Sequence, residues 1–172
     1  MKGIIAVGMG IVCCLAVFAN PALSADYVVD SLSFTTSIPL SGPIDMGMNA
    51  KGFSCPEGAT PGEETFSVVF ISFPKEQIAD MQMDDQGLIA YAKSTFMGTA
   101  KPASETTEIT LFGETCAGEI VNTKIPKSSR INVYITGMPN ESRMVIGFKW
   151  DTSAFNDADA EKAIHEIATT IR

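Results

Sequence analysis

His165 is the one imidazole in this 172-residue chain, so any Ser-His-Asp or Cys-His unit would have to be built on it. It falls in a terminal segment where Ala160, Ala163, Ile164, Ile167, Ala168 and Ile171 recur at helical spacing. His165 lies off the centre of that stripe, with Glu161 one turn before it, and the expected role is an exposed helical residue beside an acidic neighbour. A three-histidine zinc site is excluded by count. His165-Glu166 is followed by Ile167-Ala168-Thr169, so the H-E-x-x-H pattern of zinc hydrolases is missing as well. No Walker-type or dinucleotide-type glycine pattern occurs after residue 25, which leaves nucleotide chemistry without a foothold.

Carboxylates could still do acid–base work, which needs only two carboxyls in different surroundings. Glu63-Glu64 sits in a Pro/Gly-rich stretch and Asp84-Asp85 at a helix start, so solvated surface and capping are the expected roles; a carboxylate-dependent hydrolase is the least favoured reading. Asp157-x-Asp159-x-Glu161 has the outline of a calcium loop, but Lys162 occupies the position that needs glycine, and acids here suit a helix N-terminus.

Sulfur offers a sharper alternative. Of nine methionines, two (Met1 and Met9) precede residue 26; the others include Met46-Gly47-Met48 and Met81-Gln82-Met83. Thioethers suit copper(I), so Met46 and Met48 would be the ligands of a soft-metal carrier. Sharing one face of an expected strand, they are more simply core filler. Cys55 and Cys116 are the cysteines left once the leader is removed, and in an exported chain one disulfide is the simplest expectation, ahead of thiolate ligands or free thiols. It would close a loop of about 60 residues, worth roughly 4 kcal/mol in the chain-entropy model.

That leader is residues 1–25. Met1-Lys2 opens it, an uncharged apolar run from Gly3 to Ala19 follows, Asn20-Pro21 breaks it, and Ala22-Leu23-Ser24-Ala25 supplies small residues for cleavage. The pattern is that of a secretory signal peptide, and it places the protein in the periplasm or outside the cell with no stable membrane insertion after cleavage. Residues 26–172 then form a single domain. The formal charge of -8 becomes -9 when Lys2 leaves, and so acidic a chain is not expected to bind nucleic acid. With 45% apolar and 19% charged residues, the composition is that of a folded domain and not of a disordered tail.

The elements follow from periodicity. Val28, Leu32, Phe34, Thr36 and Ile38 alternate, as do Ile44, Met46, Met48 and Ala50, with Pro39 to Pro43 between them as a turn, predicting a two-stranded hairpin. Phe66 to Phe73 is apolar on both parities and reads as a central strand covered on both faces. Pro74 stops it and opens a helix over Lys75 to Met81; Asp84 or Asp85 caps a second, with Leu88, Ile89, Ala92 and Phe96 as its stripe and Gly98 at its end. Strands are predicted near 105–113, 117–125, 130–137 and 143–150, followed by a helix capped by Asn156 or Asp157. The order βββ-αα-ββββ-α specifies an α+β domain with a central antiparallel sheet of about six to seven strands packed with helices.

Several stretches together look familiar: Leu32-Ser33-Phe34 to Pro39, Phe66 to Pro74 ahead of a helix, Gly113-Glu114 and Gly118-Glu119 in the meander, Val145-Ile146-Gly147-Phe148, and Glu161-Lys162-Ala163-Ile164 to Arg172. In these the chain resembles the PsbP/DcrB-like superfamily of small exported domains. The resemblance implies an accessory or assembly role with no shared active site, so it carries over no catalytic residue. The expectation is therefore an exported, non-enzymatic binding protein of the cell envelope, needing no cofactor and recognising another envelope protein. A copper or small-ligand carrier is the alternative.

Overall fold

A computed structural model describes residues 24–55, 64–124 and 128–172. Nearly all of the first segment is paired strand. β1 (Ala25–Val29) and β2 (Leu32–Thr36) form a hairpin whose turn places Asp30 in the left-handed region, at φ 52°. β3 (Ser41–Gly47) and β4 (Ala50–Cys55) form a second, turning through Met48 and Asn49 at φ 51° and 58°. The two strands expected between residues 27 and 54 are thus four. Alternation continues through a two-residue turn without a break, which hid both turns, and neither turn has glycine at its two central positions. The expected turn at Pro39–Pro43 is also displaced, because Ser41 to Pro43 already belong to β3.

The remaining elements are β5 (Phe66–Phe73), α1 (Lys75–Met81), α2 (Asp85–Phe96), β6 (Glu105–Leu111), β7 (Glu114–Thr123), β8 (Ser129–Met138), β9 (Ser142–Asp151) and α3 (Asp157–Thr170). β1 and β2 stand apart, and the other seven strands form one sheet in the order β3-β4-β5-β9-β8-β7-β6. Each neighbouring pair in both sheets is antiparallel. The α+β expectation therefore holds. β6 to β9 run as a meander, and β9 closes it onto β5, residue Phe66 opposite Trp150 and Phe73 opposite Arg143.

Two cores lie on the two faces of this sheet. On one, Phe66, Val68 and Phe70 of β5 and Ile146, Phe148 and Trp150 of β9 meet Ala160, Ala163, Ile164, Ile167 and Ala168 of α3, together with Val29, Leu32 and Phe34 of the β1–β2 hairpin. On the other, Val69, Ile71 and Phe73 meet Leu88, Ile89 and Ala92 of α2, with Ile131, Val133 and Ile135 of β8. Because side chains alternate across a strand, β5 must be apolar on both parities to feed both cores, and it is.

Each long helix is started by the residue type its position calls for. Asp84 accepts the Gly87 N–H at 2.8 Å to cap α2, and Asn156 accepts that of Asp159 at 2.8 Å to cap α3. Gly98, at φ 68°, turns the chain away after α2. The C-terminal end of α3 is lashed to β2: Ser33 and Arg172 exchange backbone hydrogen bonds at 2.9 and 3.0 Å, and the Thr35 N–H donates to the Thr170 hydroxyl at 2.9 Å.

Candidate functional site

The β3–β4 hairpin lies at one edge of the main sheet, and it turns its side chains outward. Ile44, Met46 and Met48 are 51%, 41% and 62% exposed. Five large apolar residues are exposed among those described, and three of them are on this one hairpin; Val28 and Phe112 are the others. Isolated apolar residues on a surface need no explanation, but a cluster does. Met46 and Met48 were expected in the core. The correction follows from topology: β3 is paired on one side only and no helix covers it, so even its apolar parity has little to pack against. Met48 is not in the strand at all but in the turn.

The hairpin is nevertheless held in place. Asp45 accepts the Gly47 N–H at 2.8 Å and the Lys51 ammonium at 2.8 Å, and these contacts, the Lys51 hydrogen bond foremost, hold its carboxyl below the usual aspartate range. The Tyr91 hydroxyl donates to Sδ of Met48 at 2.9 Å, tying the turn to α2, and the Ser72 N–H donates to the Asn49 carbonyl at 3.1 Å. Met46 lies along Gly52 of β4, where a Cβ would stand 2.8 Å from its sulfur. The two thioethers are therefore engaged by different neighbours.

Between the hairpin and the end of α2 runs a groove of about 520 Å³, lined by Ile44, Met46, Phe53, Phe96, Met97 and Lys149 among others. Its far wall is fixed from below. Gly147 sits in the middle strand of the sheet, and a Cβ there would collide with the end of Met97. The bare backbone lets Met97 lie flat and brings α2 down against the sheet.

Other residues singled out by their chemistry are dispersed. Cys55 on β4 and Cys116 on β7 are both free thiols, Cys116 buried and Cys55 half-buried. Three strands separate β4 from β7, so the pair is four spacings of about 4.8 Å apart where a disulfide tolerates a Cα separation of at most about 7 Å. The expected disulfide is thus replaced by two thiols packed as small apolar groups. His165 is exposed on α3, as its place off the stripe implied. Asp157 accepts the Trp150 indole N–H at 2.8 Å, and Asp159 joins the Asn156 cap, so two of the three acids of the calcium-like run have structural partners, while Glu161 is exposed. Asp85 pairs with Arg143 at 3.0 Å, whereas Glu63 lies outside the described residues. Among the described residues, no three His, Cys, Asp or Glu side chains are grouped to hold a metal. Met81 and Met83 are half-buried against the α2-side core. Of the leader, residues 1–23 lie outside the described part.

One buried polar pair had no signal in the sequence. Lys93 of α2 reaches across to the carboxylate of Glu119 on β7, with both side chains almost wholly buried. Lys93 follows Ala92 of the apolar stripe, and nothing about its position in the chain marks it as internal.

No protein-family profile matches the chain, and no curated protein matches it. Among solved structures it is similar to the Saccharomyces cerevisiae Ran-binding protein Mog1p, at 9% identity and a TM-score of 0.48 over 87% of this chain and 94% of that one. It is also similar to the Pseudomonas aeruginosa protein PA94, of unknown function, at 10% identity and a TM-score of 0.40 over 84% and 95% of the two chains. No helix among the described residues is long and apolar enough to cross a membrane.

Proposed function

We propose that this chain is an exported accessory protein of the cell envelope that acts by binding another protein, and that the β3–β4 hairpin is where it binds. The observation that carries the reading is the clustering of Ile44, Met46 and Met48 on one fixed but uncovered hairpin. Methionine suits such a surface because its unbranched, polarizable side chain adapts to the shape it meets. Backbone pairing along the edge is disfavoured: Pro43 lacks a donor, and the strand is irregular between Ser41 and Ile44 and again between Asp45 and Gly47. The partner therefore meets side chains, and an apolar face of a folded protein fits them. The leader supports export, and the PsbP/DcrB resemblance supports an accessory role.

The rival soft-metal reading uses the same two methionines. It is less favoured, because Met48 already takes the Tyr91 hydroxyl while Met46 lies along Gly52. A photo-crosslinking amino acid placed at Met46, and separately at Phe112, tests the proposal in intact cells. A discrete adduct from position 46, absent from 112 and lost when Ile44 and Met48 are changed to Ser, is the expected result. No adduct, or the same adducts from both positions, would overturn it. Copper(I) bound in equal amounts to the protein, and released when Met46 and Met48 become Leu, would move the carrier reading ahead.

A further inference from the structure

On the α3 side of the sheet, at the end where β6, β7 and β8 run out from under the helix, there is a second cavity of about 230 Å³. Its wall includes Asn132 of β8, which is 5% exposed, and the neighbouring same-face residue Arg130. Asn132 Nδ2 donates to the Tyr134 hydroxyl at 3.4 Å, but its Oδ1 is buried with no hydrogen-bond partner. Arg130 has one guanidinium nitrogen, Nη1, 3.4 Å from Asp157, and its guanidinium lies over the Trp150 ring at 5.8 Å; its Nε is buried without a partner.

An unpaired acceptor and an unpaired charged donor, two residues apart on one strand face, each bear the full desolvation penalty of their group. Apolar side chains at these positions would pack against Ile120 and Ile164 with no such penalty. The rim adds Glu161, an exposed carboxylate of α3. An occupant that satisfies all of these carries a cationic donor for Asn132 Oδ1 and Glu161, an acceptor for Arg130 Nε, and an apolar body for the isoleucines. The volume lies below the roughly 300–1,000 Å³ of sites that enclose drug-sized molecules.

We propose that this cavity binds a small zwitterion with an apolar side chain, of free amino-acid size. Its ammonium faces Asn132 and Glu161, and its carboxylate faces Arg130. This site stands apart from the hairpin and does not depend on the protein-binding reading.

Calorimetric titration of the purified protein with L-leucine, 3-methylbutylamine and 4-methylpentanoate tests it. Saturable binding of leucine, with the amine and the acid each weaker by roughly tenfold or more, is the expected order. Asn132→Leu is expected to weaken leucine by a similar factor. Should that variant not fold, Glu161→Gln, on the exposed face of α3, is expected to weaken leucine and the amine but not the acid. Heat from none of the three compounds, equal affinity for acid and amino acid, or unaltered leucine binding in both variants would overturn the proposal.

Discussion

Lys93 and Glu119 show how much one residue's surroundings decide. The pair joins α2 to β7 within the α2-side core, and neither charge has much water to fall back on. Removing one partner leaves the other buried and uncompensated, whereas replacing both with apolar groups of similar size does not. Lys93→Met is accordingly expected to lower stability by about 3 kcal/mol in urea denaturation, and Lys93→Met with Glu119→Leu to recover most of that loss. Gly147 poses the opposite kind of constraint, since it is the absence of a side chain that matters. Gly147→Val would drive out Met97 and is expected to cost about 2 kcal/mol through overpacking.

At the scale of elements, α3 is held in two ways. Its apolar stripe supplies burial; Ile167 is fully buried, and Ile167→Ala is expected to cost about 2–5 kcal/mol by the same denaturation. Its polar edge supplies register, through Glu166. Burial raises the Glu166 carboxyl pKa, but the Ser37 N–H at 2.7 Å and the Ser37 and Thr36 hydroxyls outweigh it, and the carboxyl is held below the usual glutamate range. A carboxyl whose folded pKa is lowered contributes stability that is fully present above its unfolded value of about 4.3 and is lost as pH falls through the folded one. Thermal melts of the wild type are thus expected to fall between pH 5 and pH 2 (both approximate limits) more steeply than those of Glu166→Gln, with the difference between the two narrowing at the acid end.

Over the whole molecule, the sheet order decides what can meet. Alkylation of the unfolded protein without reductant is expected to label both Cys55 and Cys116, read by mass, because β5, β9 and β8 stand between their strands. The same order leaves β3 at an edge with its apolar side chains uncovered. Ile44→Ser with Met46→Ser is expected to shift folding stability by no more than about 0.5 kcal/mol while lowering retention on a hydrophobic-interaction column. A large loss of stability from that double change would mean that the patch is part of the core and not a surface for a partner.

Much of this architecture was legible along the chain, and for a local reason. Alternation in Ile131 to Ile135, the two-sided apolar run of Phe66 to Phe73, and the Ala160 to Ile171 stripe each encode a period that only one kind of element can bury. Asp84, Asn156 and Gly98 mark ends by chemistry that acts within one turn. Strand pairing is different, because it joins residues far apart in sequence. Nothing local states that β9 lies against β5, that Cys55 and Cys116 stand four strand positions apart, or that Met46 belongs to an edge. The hairpin turns at Asp30-Ser31 and Met48-Asn49 stayed hidden for a smaller reason: left-handed backbone at their central positions was adopted by Asp30, Met48 and Asn49, and glycine stands only beside the second turn, as Gly47. Arg130 and Asn132 lie on the parity opposite Ile131, Val133 and Ile135, a polar side that is normally turned to water, and α3 makes that side an interior wall. By itself, then, the sequence determined which elements form and which faces are apolar, since both depend on neighbours within a turn or two. The tertiary structure alone decided which of those faces is covered, because coverage depends on the order of strands across the sheet.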